Sequence, residues 1–185
     1  STNDIAGNPV NGMIYMIFDT IIPEIDLNGF ESFDVEAGST VQIDKGKVTV
    51  TDIKTDEQGN FIVQEYQTTA SDSENGKDID LTSRIDFKVY VKNTDGSETL
   101  VDSIDTSVIA TYIIKYNVKD NAGNAAEEVI RTVNVVDTTK PVITIDENNT
   151  YSMEVKGTKP TFVATANDNY DGTVNVVITD DIDVN

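Results

Sequence analysis

In the stretch RIDFKVYVK, residues 84 to 92, Ile85, Phe87, Val89 and Val91 alternate with Asp86, Lys88, Tyr90 and Lys92. A period of two puts successive side chains on opposite faces, so this stretch predicts a half-buried β-strand. The same rule recurs in TYIIKYNV, where Tyr112, Ile114, Tyr116 and Val118 share one face. TVQIDKGKVTV predicts a hairpin, with Val41 and Ile43 facing Val48 and Val50 across a turn carried by Lys45 and Gly46. VKNTDGSETLV predicts another that turns at Asp95 and Gly96. The single helix-like stretch, NAAEEVIRTV, is short, follows a turn signal and runs into the β-branched TVNVV, so it reads as turn followed by strand. The expectation is an all-β chain with turns at the spacing of a β-sandwich.

Composition restricts partners and chemistry. The 33 acidic and 13 basic residues, with no histidine, give a net charge of −20, which repels nucleic acid and anionic membrane surfaces and favours cations. No stretch approaches the roughly 20 apolar residues of a membrane helix, so this segment is not expected to insert. Without cysteine there are no disulfides, thiolate metal sites or cysteine nucleophiles. Without histidine or a GxSxG phrase, the usual acid–base and nucleophile arrangements shrink to Ser, Lys, Tyr and carboxylates, and no enzyme is expected.

Short phrases recur in order along the chain. DTIIP at Asp19 to Pro23 returns as DTTKP at Asp137 to Pro141. TASDSENG at Thr69 to Gly76 returns as TANDNYDG at Thr165 to Gly172, and DSIDTS at 102 to 107 resembles DDIDVN at 180 to 185. DNAGN at Asp120 to Asn124 is nearly spelled as DIAGN at Asp4 to Asn8. The order defines three units: residues 1–18 as the closing hairpin of one repeat, 19–136 as a whole repeat, and 137–185 as the opening part of a third. The first copy is longer between the proline and the TAxDxxxG phrase, which predicts an inserted hairpin near 39–60. The segment is expected to belong to a longer tandem array, and the incomplete third repeat to be partly disordered, docked on the middle one, or paired with another chain.

The phrases DTTKPVITI, TANDNYDG, DLTSRI, IDTSVIATY and YNVKDNAGNAAEEVIRTVNVVD together resemble the tandem bacterial immunoglobulin-like repeats of large cell-surface proteins. The resemblance implies immunoglobulin-like β-sandwich repeats in tandem, one complete and two partial, at an extracellular, cell-surface or cell-wall location. In that frame Tyr112 enters a strand after a corner, with its ring in the core and its hydroxyl on backbone. DNAGN becomes the turn between the last two strands, with Asp and Asn bonding their own backbone and Gly123 taking positive φ. Lys88 and Lys115 alternate away from the apolar faces, which disfavours a Lys–Asn or Lys–Asp staple.

The same frame brings TASDSENG and DNAGN to one end of the sandwich, beside the start of the first strand. Asp19, Asp72, Asn75 and Asp120 then share a small volume, and clustered carboxylates call for a cation. Calcium suits hard oxygen ligands in flexible geometry. Asp137, Asp168, Asn169 and Asp171 are the corresponding residues of the third repeat. The loop is not an EF-hand, because aligning Asn167, Asn169 and Asp171 puts Ile178 where the bidentate glutamate is required. The expected role is a rigid, calcium-stabilised spacer or stalk in an adhesin or cell-envelope protein, whose partners are adjacent repeats. The competing expectation is a ligand-binding adhesin or carbohydrate-binding module that meets a host protein or glycan through the inserted hairpin at 41–50 and the loop at 93–98.

Overall fold

The computed structural model describes residues 19–74, 77–145, 152 and 154–182. Asp4 to Asn8 and Asn75 lie outside them. The described chain is nearly all β, with one 3-10 turn at Thr82–Arg84 and no α-helix. Ten strands build a two-sheet body: β1 (Glu24–Asn28), β2 (Ser32–Glu36), β3 (Thr40–Asp44), β4 (Lys47–Thr55), β5 (Phe61–Glu74), β6 (Lys77–Asp80), β7 (Asp86–Lys92), β8 (Glu98–Val101), β9 (Thr111–Asn117) and β10 (Val129–Val136). One sheet has the order β1-β5-β4-β3, with β6 also on β5; the other has the order β2-β10-β9-β7-β8. All pairs are antiparallel except β2 with β10, which run parallel from Ser32 beside Thr132 to Glu36 beside Val136. β11 (Val142–Ile145), β12 (Ala164–Asp168) and β13 (Gly172–Val174) form a separate antiparallel sheet.

Alternation decides which faces meet. Tyr112, Ile114, Tyr116 and Val118 are buried together, and Ile85 and Val89 join them from the neighbouring segment. Val48 and Val50 from the first sheet face Phe33, Val35, Val133 and Val135 from the second in a single core. Phe33 and Tyr66 stack across the sheets with ring centroids 3.8 Å apart. Tyr112 Oη donates to the Asp105 carbonyl at 3.0 Å, which closes the expected corner. NAAEEVIRTV is loop followed by β10, because the β-branched register of β10 pairs with β9 over six residues.

The 41–50 hairpin forms in the expected register, Val41 opposite Val50 and Ile43 opposite Val48. The two turn residues do different work. Lys45 takes the positive φ of 52°, whereas Gly46 allows a close approach: its carbonyl accepts from Thr68 N at 2.7 Å, and an added Cβ would lie 2.2 Å from the Thr68 carbonyl oxygen. Gly46→Ala is therefore expected to destabilise the body by about 3 kcal/mol through backbone displacement. A lowered urea midpoint with an unchanged slope would register it; a midpoint equal to the wild type would show that the turn yields without cost.

Charge also enters the core. Arg131 follows the inward register of β10 and is fully buried between the sheets. Its guanidinium donates to the Phe30 carbonyl, to the Gln67 carbonyl at 3.2 Å and to Thr68 Oγ1 at 3.4 Å, and lies 5.6 Å from the Tyr66 ring centre. Lys115 points outward as expected, paired with Glu98 at 2.7 Å and lying over Tyr90. The three-stranded sheet has a different fate. Ile143 stands 118 positions after Ile25, yet Ile25 is 8% exposed and Ile143 is 64% exposed. Among the described residues no second sheet covers β11.

Candidate metal centres

The DNAGN phrase folds as a self-bonded turn between β9 and β10. Asp120 N donates to the Asn124 carbonyl at 3.1 Å. Asp120 Oδ1 accepts from Gly123 N at 2.6 Å and Asn124 N at 2.8 Å, while Oδ2 accepts from Asn124 Nδ2 at 2.6 Å. Gly123 supplies the positive φ, 96°. Burial opposes the Asp120 charge, but the bonds from Asn124 and Gly123 outweigh it and hold the carboxyl below its ordinary range.

Among the described residues the same turn recurs where sequence reading passed over it. DEQGN at Asp56 to Asn60 joins β4 to β5, with Asp56 Oδ1 accepting from Gln58 N at 2.9 Å and Asn60 N at 2.8 Å and with Gly59 at φ 85°. The phrase DxxGN is thus a turn first. What distinguishes Asp120 from Asp56 is its company.

That company is Asp19 and Asp72. One carboxylate oxygen from each of Asp19, Asp72 and Asp120 lies within 4.8 Å of the others. Asp72 reaches the cluster from the end of β5, where the strand continues beyond its pairing with β4 and pairs with β6. Asp72 and Asp120 are buried. Asp72 Oδ1 accepts from Ser73 N at 2.8 Å, and Asp19 is tied in through its carbonyl, which accepts from Asn124 Nδ2 at 3.1 Å. Arg84 approaches from outside, donating to the Asp120 carbonyl at 3.2 Å and to Asn121 Oδ1 at 2.9 Å, so it braces the turn's backbone.

A second cluster stands where the chain leaves β10. Asp137, Asp168 and Asp171 also bring carboxylate oxygens within 4.8 Å of one another. Asp168 is buried at the end of β12 and accepts from Tyr170 N at 2.8 Å and Asp171 N at 3.2 Å. Asp137 is pushed above its ordinary value, first by burial and then by the charges of Asp168, Glu36 and Asp171, against a backbone bond from Thr139. Asn169 is turned toward the two-sheet body, where its Nδ2 donates to the Ala37 carbonyl at 3.4 Å.

Sequence reasoning missed Glu36, which belongs to none of the repeated phrases it used. It is buried beside the second cluster at the end of β2. Alternation carried no signal for it: with Phe33 and Val35 inward, a period of two puts Glu36 on the outward face, yet it is buried. Chemically, each cluster is a set of hard oxygens with no nitrogen or sulfur donor among its carboxylate residues, the donor set that calcium accepts and softer metals do not favour. No protein-family model, curated protein or solved structure matches the chain.

Proposed function

We propose that the chain is a non-catalytic segment of a bacterial surface protein, in which immunoglobulin-like repeats form a rigid spacer with calcium at the joints. The observation that carries this reading is the pairing of the clusters. Asp19 with Asp72, and Asp137 with Asp168, occupy corresponding places in the repeated phrases, and each pair brings carboxylate oxygens together. A cation at such a point ties the first residue of a unit to the strand end of the same unit. It thereby stiffens the chain's entry, with Asp120 completing the first site. Asp137, raised first by burial and then by the charges of Asp168, Glu36 and Asp171, is consistent with the same reading, since a divalent cation would relieve both.

The inserted hairpin bears on the competing role as a glycan or host-protein binder. It buries Val48 and Val50 in the core, so it acts as part of the wall. The cleft of about 410 Å³ beside β6, lined by Thr69, Ser71, Asp78, Asp80 and their neighbours, presents no aromatic ring for a sugar to stack on.

Calorimetric titration of calcium into the chelator-stripped chain tests the proposal. Saturable binding is expected, with Asp72→Asn and Asp168→Asn each abolishing a different part of the heat. Absence of binding at millimolar calcium, or variants that bind as the wild type does, would remove calcium from the proposal.

A further inference from the structure

We infer that Glu36 is a metal-independent latch that sets the direction in which the chain leaves the two-sheet body, and that its partner is the Asp-Thr segment opening the next unit. This goes beyond the calcium reading, because it rests on a carboxylate whose bonding is complete without any ion.

The Glu36 side chain is 4% exposed and collects donors from two sides. Oε1 accepts from Thr138 N at 3.0 Å, Thr139 N at 3.0 Å and Thr139 Oγ1 at 2.7 Å; Oε2 accepts from Thr138 Oγ1 at 2.5 Å and Lys54 Nζ at 2.9 Å. Four of these five donors belong to Thr138 and Thr139. They are therefore presented by the two residues that follow Asp137. Charge-assisted bonds of this kind are shorter and stronger than neutral ones. Lys54 reaches the same point from the inserted hairpin's long strand β4 and also donates to Thr138 Oγ1 at 3.2 Å. The insertion thus buttresses the exit of the chain.

The socket that holds Glu36 is itself clamped to the body. Glu36 is registered beside Val136, the last residue of β10. Ala37 N donates to the Val136 carbonyl at 2.8 Å, Gly38 N to the Thr106 carbonyl at 3.0 Å, and Thr106 Oγ1 to the Ser39 carbonyl at 2.5 Å. Gly38 turns the chain at φ 84°. The Ala37 carbonyl is the one that receives Asn169 from the three-stranded sheet. One turn, Glu36 to Ser39, therefore holds both the connecting residues and the next sheet.

The chain's own repeat carries the same part again. Glu154 lies 118 positions after Glu36, the spacing that also relates Asp19 to Asp137 and Thr20 to Thr138. The turn after it is alike, with Gly157 N donating to the Glu154 carbonyl at 2.8 Å where Ser39 N donates to that of Glu36, and with positive φ at Lys156 where the first turn has Gly38. Glu154 is exposed.

The absence of cysteine makes the test direct. Spin labels on Asp102→Cys and Thr173→Cys, one exposed site on each side of the joint, report its order through the inter-label distance distribution, measured in excess chelator. A single narrow distribution is expected for the otherwise wild-type chain, at least twofold broader in Glu36→Ala and also broader in Thr138→Val/Thr139→Val, which leaves Glu36 in place and decides the matter should Glu36→Ala fail to fold. A distribution already broad in the wild-type chain, or unchanged in folded variants, would overturn the latch. Because calcium is absent throughout, failure here is separate from failure of the metal reading, which is read from the calorimetric titration of calcium.

Discussion

Heated in excess calcium and then in chelator, the chain is expected to give melting curves set apart by roughly 10 °C, with the calcium form the more stable. A ligand that binds only the folded state stabilises it by about 2.7 kcal/mol at a hundred times its dissociation constant. For a body of this size each kcal/mol corresponds to a few degrees. The expectation comes from the buried pair Asp72 and Asp120, which with Asp19 bring negative oxygens within 4.8 Å at a place where water is largely excluded. Asp120→Ala has two consequences, and they can be separated. It removes the acceptor of Gly123 N and Asn124 N, which lowers stability in either condition, and it removes a ligand, which shrinks the interval between the curves. Asp56→Ala removes the same kind of turn acceptor without the cluster and should leave the interval intact. Superimposed wild-type curves would remove calcium from the stability of this chain.

The second large effect is expected at Arg131. Arg131→Ala should destabilise by about 3 to 5 kcal/mol, since it removes the donor to the Phe30 and Gln67 carbonyls and opens a cavity beside Tyr66. Arg131→Met keeps most of the volume and removes the charge together with its desolvation cost, so its loss should be less than half as large. The hydrogen-bond partners of this guanidinium are carbonyls and a hydroxyl rather than a carboxylate, which is why the apolar replacement is the informative one. Urea midpoints at constant slope measure both. An alanine variant as stable as the wild type would mean that solvent already reaches this part of the core.

These two cases mark where sequence reasoning holds and where it stops. The face shared by Tyr112, Ile114, Tyr116 and Val118 was legible because alternation is local and needs no knowledge of the partner sheet. The meeting of Asp19, Asp72 and Asp120 was legible only through a rule about which loops of a sandwich share an end, combined with the order of repeated phrases. Alternation reports which side a residue faces and is silent on what it finds there. Arg131 and Glu36 are therefore the residues missed: both are charged groups at buried positions, held by partners 18 to 103 positions away in the chain. Gly46 was assigned to the right turn, but its requirement for close approach to Thr68 was not legible, because it depends on a strand that the turn itself does not contain. The exposed face of β11 escapes a periodicity argument for the same cause: Ile143 carries the pattern of Ile25 without the opposing sheet that would bury it.

The parallel pairing of β2 with β10 bears on what happens when such a segment is pulled from its two ends. The chain enters through β1 and β2 and leaves through β10, so tension applied at its two ends slides β2 and β10 past each other in opposite directions. Their five registered pairs, Ser32 with Thr132 through Glu36 with Val136, are then loaded side by side in shear and must yield together, whereas a ladder peeled from one end gives way one bond at a time. Resistance to force is a matter of the rate of opening rather than of equilibrium stability. In this chain it would be concentrated in a ladder whose last rung is Glu36 itself.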